Sequence, residues 1–301
     1  MTTLEQPRAA GSGTRTAGVV IAAIAVTVLA WASAFVTVRS VRTDFDPGAL
    51  ALGRLLVGSV ALAVALRIKG GWVRPHRREW LLMALCGVCW FGVYNVSLSA
   101  AERQLDAGTT AMLVNVGPIL IALLAGAVLG EGFPRWLLIG AGIAFAGAIL
   151  IGVASRSGPG GATLGGVALC LLAAACWAIG VTAQKKVLGR LPPLQVTQIA
   201  CTIGAVATLP FSGQLIGNLS RATTSGVLSV VYLGLVPTAL AFGTWAFALS
   251  RMNAGRLGIT TYLVPPLTIA LSWPLLGEVP AVLALGGGLI ALVGIAVSRR
   301  R

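Results

Sequence analysis

Charge is what this sequence has least of. Only 10% of its 301 residues are Asp, Glu, Lys or Arg, eight of them acidic, and the single histidine, His76, lies in a basic stretch. Soluble globular chains carry about 25% charged residues, so water is excluded as the solvent for most of this surface. The same scarcity bears on chemistry. Hydrolysis or group transfer draws on paired carboxylates, a His/Asp cluster or metal ligands, and no apolar run holds such a set. No enzyme activity, metal or cofactor is expected. The five cysteines, Cys86, Cys89, Cys170, Cys176 and Cys201, all fall in apolar runs. They leave no exported disulfide, and the Cys86–Cys89 spacing reads as packing rather than as a redox or metal pair.

Apolar residues make up 57% of the chain, and mean hydropathy is +0.91. A spanning helix needs roughly 20 mostly apolar residues, whereas barrel strands alternate over about 10. The runs here are long and unalternated, which predicts an all-α integral membrane protein. Ten spans are expected, at 17–38, 47–68, 80–99, 107–129, 134–153, 164–184, 192–212, 224–249, 257–276 and 280–298. Breaks fall at Asp46-Pro47, Phe133-Pro134, Ser157 to Gly161, and Leu191-Pro192-Pro193.

The net charge of +14 does not point to nucleic acid. With the N-terminus inside, alternate segments divide the Lys/Arg residues 16 against 5, with Arg54 left within a span. Short basic loops stay cytoplasmic, so both termini are expected there, in a plasma (inner) membrane. The lipid bilayer is the first partner, and attraction of the loops to anionic head groups is secondary. The stretch Ala30-Trp31-Ala32-Ser33-Ala34 resembles a signal-peptidase site. The span is full length and its Trp31 pattern recurs, so it is expected to be retained.

An internal repeat is visible. At a shift of 147, Gly130-Glu131 lies over Gly277-Glu278, Ala107-Gly108 over Ala254-Gly255, and Pro118 over Pro265. At 146, Trp31-Ala32 lies over Trp177-Ala178, and Pro47 over Pro193. The chain reads as a duplication, 1–155 and 156–301. Five spans in each half is an odd number, so the second half enters from the opposite side. Two inverted five-helix repeats are a plan of secondary transporters, with the small-molecule substrate held near the midplane between them.

The residues resemble the drug/metabolite transporter superfamily, in its EamA-type ten-helix branch. The resemblance rests on Trp31-Ala32-Ser33-Ala34-Phe35, on Arg54, and on Ala107-Gly108 through Pro118 to Leu129-Gly130-Glu131 with its repeat from Ala254 through Pro265-Pro266 to Leu276-Gly277-Glu278. It implies export, or less often uptake, of small metabolites such as amino acids, nucleosides or drugs, often with a coupling proton or counter-solute. Four-helix relatives place a Glu in the first span, and this chain has none. Its acidic residues fall in tails, loops or helix ends, so a membrane-buried carboxylate relay is not expected.

Arg54 is the ionisable group clearly inside a span, where charge costs roughly 2.5–3.5 kcal/mol. Two readings stand: attraction of a substrate carboxylate or phosphate, or a structural role bonding helix-end carbonyls or reaching Asp44 and Asp46. Pro118 and Pro265-Pro266 break backbone hydrogen bonding in corresponding spans, and Asn115 and Tyr262 precede them by three residues. These could line a solute site or simply shape kinked helices. Trp90, Tyr94 and Asn95 lie mid-span as possible walls, with Trp31, Trp177 and Trp245 as further aromatics; Gln195 and Gln198 are weaker candidates. Gly286-Gly287-Gly288 suits close helix approach. The function expected is a secondary transporter exporting amino acids or related metabolites. A multidrug or nucleoside carrier is the alternative, as is, in a different class, a channel or non-transporting sensor. Single cysteines introduced at 69–78 and 213–222 are expected to label from opposite sides, only the second from outside; equal outside access at both would overturn the orientation.

Overall fold

The computed structural model describes residues 11–130, 163–278 and 282–298, with scattered positions from 132 to 150. Ten helices follow one another among them: α1 Gly11–Ser40, α2 Pro47–Lys69, α3 Arg77–Ala101, α4 Ala107–Leu129, α5 Leu164–Val187, α6 Pro193–Ala207, α7 Leu209–Leu219, α8 Thr224–Leu249, α9 Ala254–Leu276 and α10 Val282–Ser298. No strand occurs among the described residues. Seven of these helices are long and apolar enough to cross a membrane, and α6 with α7, bent by 50°, makes an eighth if counted as one span. The tenth expected span is α10, 17 residues long. The fifth, 134–153, lies outside the described residues apart from scattered helical positions, as does Glu131.

The starts and stops have local causes. Pro47 and Pro193 sit in the first turns of α2 and α6, where a missing N–H costs nothing. Asp106 and Thr163 cap α4 and α5, accepting from the backbone N–H of Thr109 at 2.8 Å and of Gly166 at 3.1 Å. Both α4 and α9 end on a left-handed glycine, Gly130 at φ 72° and Gly277 at φ 67°, a conformation that a side chain would strain. The expected loop at 213–222 begins instead as helix. Pro210 ends α6 through the short turn Leu209–Phe211, and Ser212–Leu219 winds on from it.

Two helices carry a π segment, Gly87–Val93 in α3 and Gly234–Leu240 in α8. They lie 147 positions apart, the register of the sequence repeat. Packing follows the same register. Helix α1 lies on α8 and α9, α5 on α3 and α4, and α2 on α6. The α3 π segment crosses α6, and the α8 π segment crosses α2. The crossings are close because both sides are glycine: Gly87 with Gly204, and Gly234 with Gly58. Outward faces stay apolar, with Ile21, Leu29, Val60, Leu81, Leu172 and Leu228 all exposed, as lipid contact requires.

A methyl at Gly87 would stand 2.6 Å from the Ala200 carbonyl oxygen, whereas one at Gly213 would meet nothing within 4 Å. Overpacking of this kind costs about 1–3 kcal/mol, more than the roughly 1 kcal/mol that alanine gains over glycine in a helix. Gly87→Ala is therefore expected to lower the thermal unfolding midpoint in detergent, and Gly213→Ala to leave it unchanged or raise it.

Candidate functional site

Helices α4 and α9 both break at mid-length. α4 stops at Val114, turns through Asn115 and Val116, and restarts at Gly117 with Pro118 in its first turn. α9 passes through a tight turn at Thr261–Leu263 and restarts at Val264 with Pro265 in the first turn. Proline supplies no N–H, so carbonyls of the preceding turn lose partners. Side chains settle at the breaks: Asn115 Nδ2 donates to the Ala111 carbonyl at 2.9 Å, and the Thr261 hydroxyl to Gly258 at 2.7 Å.

Between these breaks lies an aromatic centre. Trp31 of α1 contacts Trp245 at 5.0 Å between ring centroids, Phe242 at 5.6 Å, Trp177 at 6.0 Å and Trp90 at 6.2 Å. Trp90 and Phe242 stand edge-on at 4.8 Å. Such arrangements contribute about 0.5–1.5 kcal/mol per pair beyond burial. Gly117 makes room for the Trp177 ring, since a side chain there would collide with it. None of these tryptophans is an interfacial anchor.

Beside the cluster is a central cavity of about 30 Å³, room for one or two waters. Arg54, Trp90, Tyr94, Asn115 and Trp177 line it together with Trp31, Phe35, Phe242 and Thr261. Arg54 is 3% exposed, and its Nε donates to the Thr238 hydroxyl at 3.1 Å. That hydroxyl passes its own hydrogen to the Leu233 carbonyl at 2.7 Å, at the start of the α8 π segment. Arg54 thus reaches neither Asp44 nor Asp46. It makes no other hydrogen bond among the described residues, and its remaining N–H groups are unspent. Two acceptor or donor atoms are also unpartnered there among the described residues, Asn115 Oδ1 and Trp177 Nε1.

A second cavity, of about 220 Å³, adjoins the first across Asn115 and is walled by Met112, Tyr262, Pro265, Ile269, Leu289 and others of α4, α9 and α10. It is mostly apolar. Asn95 and Pro118 line neither space. Asn95 is instead turned onto the α3 π segment, donating to the Phe91 carbonyl at 2.7 Å. Gln195 brackets both backbone groups of Val73, at 2.6 and 2.9 Å, and is a staple between segments. The repeat offered a signal for residues the sequence reading missed: Val114 and Thr261 are 147 apart and immediately precede Asn115 and Tyr262, and Phe242 stands 147 after Asn95.

Polar contacts close both ends of the bundle. At one end Arg39 of α1 donates through Nε to Glu278 at 2.8 Å and through Nη1 to the Glu102 carbonyl, while Arg42 lies 3.7 Å from Glu278. At the other, Lys185 of α5 donates to the carbonyls of Leu249 at 2.7 Å and Met252 at 2.9 Å, and Arg190 forks onto Glu79. Lys185 lies 146 positions after Arg39, and Leu249 lies 147 after Glu102. The same cation-to-helix-end contact therefore occurs at both ends.

The expectation of no buried carboxylate needs correction. Glu102, just past the end of α3, is fully buried, and neither carboxyl oxygen has a hydrogen-bond partner among the described residues. Its place at a helix end suggested exposure, but the ends of α1, α4 and α9 converge over it.

Comparison with known proteins agrees with this architecture. The chain is 35% identical over 281 residues to a "Probable terminal-alkyne amino-acid exporter" of Streptantibioticus cattleyicolor, covering 93% of each protein. It is 33% identical to the "Uncharacterized transporter YdfC" of Bacillus subtilis, over 88% of this chain and 86% of that one. A "Probable amino-acid metabolite efflux pump" of Salmonella typhimurium is 26% identical, over 90% and 91%. A solved crystal structure at 20% identity superposes with a TM-score of 0.66, over 93% of this chain and 96% of that one, which speaks for the fold alone. The EamA-like transporter family model matches twice, at residues 18–153 and again at 164–300, and the chain belongs to that family.

Proposed function

We propose that this membrane protein exports amino acids or closely related small metabolites by alternating access between two inverted halves, 1–155 and 156–301. The observation that carries the solute class is Arg54. Among the described residues it is the one charged side chain on the central cavity, its N–H groups are only partly used, and a guanidinium fork matches a carboxylate. A positive charge in that place disfavours cationic drugs, the cargo of the multidrug alternative. Asn115 lies on both cavities, so a solute head group at Arg54 and Asn115 would place an apolar side chain in the larger space. That space, at about 220 Å³, is just under the roughly 300 Å³ at which small-molecule sites begin.

The carrier reading over a channel rests on closure. The central cavity is too small for a solute and both ends are held by polar contacts, as in the occluded form of an alternating carrier. Repeat-equivalent contacts at the two ends make the two open forms similar in energy, so modest ligand binding can shift between them. The orientation proposed places the Arg39–Glu278 end outside and the Lys185 end in the cytoplasm of a plasma membrane, on the basic-loop count.

Uptake of a labelled amino-acid panel into proteoliposomes tests this directly. Saturable transport is expected, strongest for members with apolar side chains. Arg54→Ala should weaken apparent affinity about 10- to 100-fold, the equivalent of a charged hydrogen bond at roughly 1.5–3 kcal/mol. Arg54→Lys should not restore it, because the fork is lost. Asn115→Ala should cost about 2- to 10-fold. Transport unaffected by Arg54→Ala would reduce that residue to packing; no transport of any panel member would remove the amino-acid assignment.

A further inference from the structure

Glu102 is unlike every other acidic residue described. Asp46 is paired with Arg103, Glu79 with Arg190 and Glu278 with Arg39, while Asp44 accepts from Thr223 and Asp106 caps α4. Glu102 alone has zero exposure and two unpartnered carboxyl oxygens among the described residues. A buried ion without a partner is far too costly to persist, and the usual outcome is neutralisation by a proton.

The groups around it explain why. The charged and titratable groups whose fields reach its carboxyl are Arg39 from α1, Arg54 from α2, Tyr94 of α3, Asp106 at the start of α4, Cys170 of α5 and Glu278 beyond α9. The cation that acts most strongly on it, Arg39, is already engaged: its Nε serves Glu278, and its Nη1 serves the backbone carbonyl of Glu102 rather than the side chain. Desolvation pushes the Glu102 carboxyl well above the ordinary range; Arg39 pulls it down, and Glu278 and Asp106 push it up again.

A polar strip leads inward from this group. Asn95 and Ser99 of α3 lie two turns and one turn before Glu102 in line with it, at the i, i+4, i+7 spacing of one helix stripe. Both are buried, and the Ser99 hydroxyl and Asn95 Oδ1 are likewise unpartnered among the described residues. The strip runs beside Tyr94 and Leu98, which line the central cavity. Unsatisfied polar atoms in hydrocarbon are costly, and three side chains carrying them in one row is a pattern that packing alone does not require.

We propose that Glu102 is the proton-binding residue of the transport cycle: it takes up a proton when the Arg39–Glu278 pair parts, is neutral when that pair closes this end over it, and gives the proton up when the opposite end opens. The proposal rests on the carrier reading above and adds the coupling ion. With the end open, water reaches the carboxylate and one oxygen takes a proton from the outer solution. Closure then seals a neutral acid. When the opposite end opens, the proton leaves through the Ser99 hydroxyl to water that enters the strip, water for which Asn95 Oδ1 serves as a hydrogen-bond acceptor, and on to the central cavity, so that one proton moves inward as solute moves outward. Linkage fixes the sign for stability. A carboxyl whose folded pKa is raised contributes stability that is full below its unfolded value of about 4.3 and is lost as pH rises towards the folded value.

Infrared difference spectra of wild type and Glu102→Gln, with thermal midpoints from about pH 5 to about pH 8, provide the test alongside the amino-acid panel. Expected are a protonated-carboxyl band at neutral pH that Glu102→Gln abolishes, and a midpoint that falls with rising pH in wild type and is flat in Glu102→Gln. The ratio of uptake with and without an imposed pH gradient should collapse towards one in the variant. Should Glu102→Gln fail to assemble, Glu102→Asp must keep a shifted band. Identical carboxyl spectra in wild type and variant, or an unchanged gradient ratio, would overturn the proposal. Absence of transport for the whole panel would count against the solute class alone, because the infrared and thermal measurements still decide whether Glu102 holds a proton.

Discussion

Hydrocarbon offers no hydrogen-bond partners, so every interrupted helix in this protein must settle its loose backbone groups internally. That constraint explains where the polar side chains are. Thr238 and Asn95 are turned onto the carbonyls of the two π segments, and Asn115 and Thr261 onto those at the two proline breaks. The broken turns all face the middle of the bundle, where Arg54 shares the Thr238 hydroxyl. A polar centre walled by tryptophan is thus a result of satisfying broken helices, and the proposed solute site uses what those side chains leave unspent.

The halves are interleaved rather than merely adjacent. α1 packs on α8 and α9 of the other half, α5 packs on α3 and α4, and α2 meets α6. Each half therefore closes over the other's broken helix. Glycine at both π crossings lets the backbones approach closely, and the basic residue ending α1 or α5 reaches across to the end of α3 or α8. On the carrier proposal, opening one end without the other would require only that one such set of contacts be released.

Much of this was legible in the sequence, because lipid imposes strong one-dimensional rules. Span positions follow from apolar length, and Pro118 and Pro265 marked the breaks at the right places. Trp90, Tyr94, Asn115 and Trp177 do meet Arg54 at one cavity, which the mid-span positions and the repeat suggested. Asn95 lines neither cavity because its Nδ2 is given to the π segment, and a π turn leaves no signature in apolar spacing. The helix within 213–222 was missed because Pro210 looks like an end and serves as a bend. Glu102 was read as a surface residue because a helix end is ordinarily wet; its burial depends on three other helix ends, a tertiary fact with no local trace. The clustering of the tryptophans has no local trace for the same reason: position along a span does not say which way a ring points.

The paired π segments have one more consequence. A π turn holds about one residue more than an α turn, and one residue is about 100° of rotation in an α-helix. Winding such a segment into regular helix would therefore swing everything beyond it round the axis without breaking the helix. In α3 the part beyond carries Tyr94, Leu98 and Glu102, and in α8 it carries Phe242 and Trp245. Each half thus holds, at matching positions, a rod with a built-in swivel, and the side chains around the cavity sit on its turning arm.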